Sequence, residues 1–143
     1  RVFALARSIE VHKHSMNKHK EEAVAGIRYG LIEKNESVTW KAKHLFKTRY
    51  MRTEIIDMKK PDMFVDAQVK GDFKMMKHIH HFKPCDNGTI MIDVVEFEAP
   101  YGGVGKLFNK LYLTTYLKRL IIQGNKVLKE CAETDKWRKF LSN

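Results

Sequence analysis

Thr89-Ile-Met-Ile-Asp-Val-Val-Glu-Phe-Glu98 is the stretch whose reading decides the fold. Its β-branched and aromatic residues read as a strand. The run breaks at Pro100-Tyr-Gly-Gly103 and gives way to one helical pattern from Val104 to about Leu128. Several strands separated by short turns lie ahead of it. A meander of strands followed by one long amphipathic helix predicts a curved sheet wrapped around that helix. The space between them is a natural pocket.

The helical pattern carries Leu107, Phe108, Leu111, Tyr112, Leu113, Leu117, Leu120, Ile121, Ile122, Val127 and Leu128. Together they cover more than the ~100° stripe of a surface helix, as expected of a helix gripped by a concave sheet. Upstream, Val38, Trp40, Ala42, His44 and Phe46 share one strand face, with Thr39, Lys41 and Lys43 on the other. Further strands are expected at Thr48–Met58, Met63–Lys70 and Lys74–Phe82. Lys59-Lys60-Pro61-Asp62, Gly71-Asp72 and Asn87-Gly88 supply the turns. Connections this short force neighbouring strands to run antiparallel.

Two short helices are predicted before the strands, one over Val2–Val11 and one over Glu21–Gly26, ending near Gly26 or Gly30. Between them His12, His14 and His19 sit in a polar stretch expected to face solvent. The tail Glu133–Asn143, with Trp137, Phe140 and Leu141, reads as a short packed extension. No repeat or linker interrupts the pattern, so residues 1–143 read as a single α+β domain with at least five strands.

At 143 residues and 43% hydrophobic content the chain can bury a real core. No apolar run reaches the ~20 residues needed to cross a bilayer. The segment Arg1-Val-Phe-Ala-Leu-Ala-Arg7 is charged too early for a secretory signal, and the lack of an initial methionine is compatible with a fragment. Cys85 and Cys131 have no CxxC spacing, which fits a reduced, cytoplasmic setting. The net charge of +10 comes from lysines dispersed along the chain. Dispersed lysine on outward positions reads as a solvated face and not as a specific nucleic-acid surface.

Alternation brings Trp40, His44, Phe64, Asp66, Gln68, His78, His80, Phe82, Met91, Asp93 and Phe97 onto inward strand faces. With Phe108, Leu111 and Tyr112 from the helix they form the expected ligand-binding lining. Buried ionisable groups are costly unless paired, so the His and Asp residues read as polar anchors in a pocket. In an enzyme, His44, His78 or His80 with Asp66 or Asp93 would serve as general acid and base. In a binding protein the same groups form a satisfied polar network. His78 and His80 at i, i+2 with His44 suggest a metal, but the spacing is weak; neither metal nor cofactor is expected. Gly102-Gly-Val-Gly-Lys106 fails as a phosphate loop, having Pro100 where glycine is needed and Leu107 where Ser or Thr is needed.

Glu22-Ala-Val-Ala-Gly26, Gly30-Leu-Ile32, Glu36-Ser-Val-Thr-Trp40, Ala42-x-His44 and Pro61-x-x-Phe64-x-Asp66 occur here in order. Gly71-x-Phe73, His78-x-His80-x-Phe82, Thr89-x-Met91-x-Asp93 and Pro100-x-Gly-x-x-Gly105 follow them. As a set they resemble the START-related helix-grip superfamily labelled SRPBCC. Within it they look most like a bacterial subgroup loosely described as polyketide cyclase-like or cell-division-inhibitor-like. The resemblance spans residues 1–130 or so. It implies a hydrophobic cavity between the sheet and the C-terminal helix that binds lipids, sterols, polyketides or other apolar molecules. Only some branches catalyse reactions, and no catalytic residue carries over. The family fold opens with a strand before its first helix. This chain starts at about that helix, so that strand is expected to be missing and a sheet edge exposed.

The expected function is therefore binding or transport of a small lipid- or polyketide-like molecule, without catalysis. The competing readings are an enzyme of cyclase, dehydratase or hydrolase type and a binding module for anionic surfaces.

Overall fold

The computed structural model describes residues 1–100 and 106–142, with side chains from 1–100 and 110–142. Its architecture is α+β. Six strands form one curved antiparallel sheet in simple meander order: β1 Glu22–Gly26, β2 Ser37–His44, β3 Lys47–Lys59, β4 Met63–Lys70, β5 Met75–Cys85 and β6 Gly88–Glu98. Two short helices, α1 Val2–Ala6 and α2 Ile9–Ser15, precede the sheet, and a long helix, α3 Lys106–Glu133, follows it. A last helical turn, α4 Trp137–Leu141, forms the expected packed extension. Among the described residues, no helix is long and apolar enough to cross a membrane.

The Glu22–Gly26 segment is a strand, not the short helix that its composition suggests. Five residues are too few to hold a helix alone, because helix nucleation costs more than one turn returns. Pairing with β2 satisfies the same backbone groups, with Ala23 opposite Trp40 and Ala25 opposite Thr39. Gly26 ends the strand at φ 71°, where an added Cβ would lie 2.2 Å from the Ser37 carbonyl oxygen. The Val2–Val11 pattern is likewise split. Arg7 ends α1 and Ser8 caps α2, its hydroxyl accepting from the Val11 backbone N–H at 3.3 Å. Asn17–His19 is a single 3-10 turn.

Two turns also differ from expectation. Cys85 pairs with Gly88, so the tight β5–β6 turn is Asp86-Asn87 and Gly88 already belongs to β6. His44 pairs with Lys47, which puts Leu45 and Phe46 in the β2–β3 turn at φ 51° and 64°. Phe46 is thus 99% exposed and does not share the inward face of Trp40. The expected turn at Tyr101–Gly105 and the start of the helix at Val104 lie outside the described residues.

The core has two parts. Phe3 of α1 meets Phe64 and Phe82 edge-on, with ring centroids 5.9 and 5.3 Å apart, while Phe64 and Phe82 stack at 5.9 Å. Ile9, Ile32, Val38 and Ile55 complete this cluster. Leu5, Val11, Leu128 and Cys131 form the second, where the C-terminal half of α3 packs on α1, α2 and α4. Arg7 is buried between them. Its guanidinium donates to the Ile32 carbonyl at 2.9 Å and pairs with Glu33 at 2.7 Å, pinning the α1–α2 corner to the loop before β2.

Phe82→Ala should cost about 3–5 kcal/mol, because the aromatic contacts cannot close around the void. Phe46→Ser should stay within about 0.5 kcal/mol, since that ring packs on nothing. Urea-denaturation midpoints of the two variants check this ordering.

Candidate functional site

The curved sheet and α3 do not close on each other. A cavity of about 410 Å³ lies between them, walled by Trp40 and Ala42 of β2, Met51 of β3, Met76 of β5 and Leu113, Leu117 and Leu120 of α3. A neighbouring cavity of about 190 Å³ is lined by His78, His80, Met91, Val95, Asn125 and Leu128, among others. The two share His12, Met16, Met76, Leu117 and Leu120 as walls.

The wider cavity is mostly apolar, with a short string of polar groups along one side. Tyr116 of α3 lies 2.6 Å from His44 Nδ1. His44 Nε2 is 4.0 Å from Glu21, and the other Glu21 oxygen contacts His12 Nε2. Desolvation and the neighbouring His19 and Arg49 lower the His44 pKa, so its imidazole is neutral near pH 7. Desolvation raises the Tyr116 pKa, so its hydroxyl keeps its proton and donates to His44 Nδ1. The His44 proton is then on Nε2, facing Glu21. His12 keeps 44% of its side chain accessible because it faces the cavities. Desolvation lowers its pKa, but the Glu21 carboxylate more than restores it, and the net shift is upward. Arg49 and Asp72, paired at 2.7 Å, stand on the same wall.

The second constellation sits on β4, β5 and β6. Register places Asp66 opposite His78 and His80 opposite Asp93. The bonds run diagonally across these pairs. His80 Nε2 is 2.8 Å from Asp66 Oδ2, and His78 Nε2 is 2.8 Å from Asp93 Oδ1. His80 Nδ1 also lies 3.0 Å from Asp93 Oδ1, off the line a good hydrogen bond needs, so this buried nitrogen has no aligned acceptor. Asn125 of α3 donates to the other Asp93 oxygen at 2.5 Å. Desolvation disfavours the His80 cation, yet the two carboxylates outweigh it and push its pKa up to about 9. Burial works against the charge of Asp93 too. Hydrogen bonds from His78 and Asn125 and the adjacent His80 imidazolium nevertheless hold its carboxyl well below the usual range. One oxygen of Asp66 and one nitrogen each of His78 and His80 lie within 4.8 Å of one another, a geometry able to hold a metal ion.

Trp40, His44 and Tyr112 line the wider cavity, and His78, His80 and Met91 the smaller one. Asp66 and Asp93 stand behind the two histidines as their partners. The remaining expected residues are elsewhere. Phe64 and Phe82 are buried in the aromatic core beneath α1, which takes the end of the sheet that the expected pocket was to fill. Gln68 bonds the Phe73 backbone and closes the β4–β5 turn, and Phe97 packs edge-on against Phe73. Leu111 is 62% exposed, on the side of α3 away from the sheet. The side chain of Phe108 lies outside the described residues.

His12, Glu21, Met76, Tyr116 and Asn125 are site residues that the sequence pattern does not pick out. His12 lies on α2, not in a solvated loop, and α2 carries it over the cavity. Tyr116 is four positions after Tyr112, a helical spacing that could have flagged it.

No protein-family model matches the chain, and no curated protein matches it. Among solved structures it is similar to the crystal structure of TTHA0849 from Thermus thermophilus. The TM-score is 0.72 and the identity 21%, over 93% of this chain and 90% of that one. At that identity the likeness shows the fold.

A pH dependence follows from His80. Its pKa is near 6.5 when unfolded and about 9 when folded, so its stabilising contribution is complete below about pH 6.5. It is lost as pH rises through about 9. In chelator-containing buffer, the denaturation midpoint should fall across that window. His80→Gln should flatten the fall; an unchanged slope in that variant would contradict the assignment.

Proposed function

We propose that this chain binds a small, mainly apolar molecule in the cavity between the sheet and α3, and carries it without chemical change. The observation that carries the reading is the cavity itself. About 410 Å³ is within the range of small-molecule sites, and an apolar wall with a few converging polar groups is their usual construction. An empty apolar space of this size costs packing energy, so filling it with a ligand is favourable.

The polar string sets the orientation. Tyr116, His44, Glu21 and Arg49 lie on the cavity wall, so a ligand with one hydrogen-bonding end and an apolar body fits the arrangement. These groups are already partnered, Tyr116 with His44, Glu21 with His12 and Arg49 with Asp72. Pairing of this kind favours holding a ligand over attacking it. The resemblance to the START-related helix-grip superfamily agrees with a carrier of lipid- or polyketide-like molecules.

Native mass spectrometry of the purified protein tests for a co-purified small molecule. Titration with anilinonaphthalene sulfonate, an apolar dye with one polar group, tests the cavity directly. Met76→Trp, which fills the wall shared by both cavities, should weaken dye binding at least ~10-fold with the circular dichroism spectrum retained. Ile92→Ser, on the outer face of β6, should leave dye binding unchanged. Equal binding by wild type and Met76→Trp would overturn the proposal.

A further inference from the structure

We infer that Asp66, His78 and His80 form a site for one divalent transition-metal ion of the zinc type, open to the smaller cavity. The inference rests on how the two imidazoles are oriented. His78 Nε2 is engaged by Asp93 Oδ1 at 2.8 Å, and His80 Nδ1 lies 3.0 Å from the same oxygen. These contacts set Asp93 on one side of both rings and hold the His78 proton on Nε2. The opposite nitrogens, His78 Nδ1 and His80 Nε2, face Asp66 Oδ2 at 4.0 and 2.8 Å, and without a metal the His80 Nε2–H donates to that oxygen. A divalent cation there would displace the His80 Nε2 proton and bind both ring nitrogens together with the carboxylate oxygen.

The dimensions suit such an ion. Imidazole nitrogens and carboxylate oxygens bind zinc at about 2.0–2.2 Å, so neighbouring ligand atoms of a tetrahedral site lie about 3.3 Å apart. The separations of 2.8 and 4.0 Å bracket that value, and all three atoms fall within 4.8 Å of one another. Changes of about 0.5–0.7 Å in these separations bring them into line. The two rings are only 3.7 Å apart between centroids, which presents both to the same side.

Asp93 supplies the support that imidazole ligands need. A carboxylate on the far ring nitrogen fixes the tautomer and raises the basicity of the ligating one. Asp93 bonds the far nitrogen of His78, lies 3.0 Å from that of His80 and is itself held by Asn125 at 2.5 Å. The ligands lie on adjacent strands whose register sets Asp66 opposite His78. Imidazole with carboxylate selects zinc, iron, cobalt or nickel over magnesium or calcium. Three protein ligands leave a coordination position free. His78 and His80 line the smaller cavity, which gives the site its access.

The test uses the whole chain, stripped with chelator and then titrated with Zn²⁺ by calorimetry and with Co²⁺ by visible absorbance. One ion per chain should bind with Kd of about 1 µM or tighter, and Co²⁺ should give intense low-coordinate bands. Asp66→Asn and His80→Gln should each weaken binding at least ~100-fold, and Asp93→Asn about 10–100-fold. His81→Gln, on the opposite face of β5, and His14→Gln should bind as wild type does. Should the site variants fail to fold, ring ¹⁵N resonances of the wild type decide, since Zn²⁺ must shift those of His78 and His80. Binding weaker than ~100 µM, or binding indifferent to Asp66→Asn, overturns the inference. So does Zn²⁺ saturation that leaves the His78 and His80 resonances in place.

Discussion

Asp93 is a carboxylate with little access to water, and the inner layer of the molecule is arranged around its need for partners. Ionised groups are tolerated away from solvent only when hydrogen bonds and opposite charge replace the lost hydration. Here the replacement comes from three places: His78 and His80 on the adjacent strand and Asn125 on α3. The requirement fixes the β5–β6 register, since a slip of one residue would turn Asp93 to solvent and both histidines away from it. It also ties α3 to the sheet by a polar bond in the C-terminal half of the helix. Removing one partner would leave the others buried and unsatisfied, which costs more than the bond itself contributes.

With α3 tied at Asn125 and packed at its C-terminal half on α1, α2 and α4, the cavity volume follows from side-chain size. The Phe3, Phe64 and Phe82 rings fill one end of the concave sheet. Toward the other end the sheet offers Ala42 and the flexible Met51 and Met76, and the helix turns Leu113, Leu117 and Leu120 toward them. Large rings at one end and smaller or unbranched side chains at the other leave the space asymmetric. At the open end, the β2–β3 turn places two non-glycine residues, Leu45 and Phe46, in left-handed backbone. Each costs roughly 1–2 kcal/mol relative to ordinary geometry. Leu45 joins the cavity wall while Phe46 remains exposed. Burial of Phe46 therefore does not offset the strain; the strand pairing of His44 with Lys47 does.

The shared wall of His12, Met16, Met76, Leu117 and Leu120 joins the two cavities physically. Methionine at two of these five positions matters, because its three rotatable bonds let it refill space as a neighbour moves. A molecule that displaces Met76 from one cavity changes the volume of the other. Any effect of one cavity's occupancy on the other is then reciprocal in free energy, whichever fills first.

How much of this was legible in the sequence depends on the range of the signal. Period-two alternation is local, and it put His44, Asp66, His78, His80 and Asp93 on inward faces, where the structure has them. The strand meander and the long helix were legible for the same reason. Alternation could not say which inward residues would meet α1 and which would face open space, so Phe64 and Phe82 read as pocket and are core. Glu22–Gly26 read as a helix because short Ala-rich segments favour one, and only pairing with β2 reverses the preference. Tyr116 meets His44 across 72 residues, and Asn125 meets Asp93 across 32. Neither contact has a local pattern in one sequence, since each side chain alone is an ordinary polar residue on a helix. His12 was misread for a related reason: a histidine in a lysine-rich polar stretch reads as solvated until the chain packs over it. The parts of the site that could be read are those where burial imposes a period, and the parts that could not are those where a polar group answers a distant one.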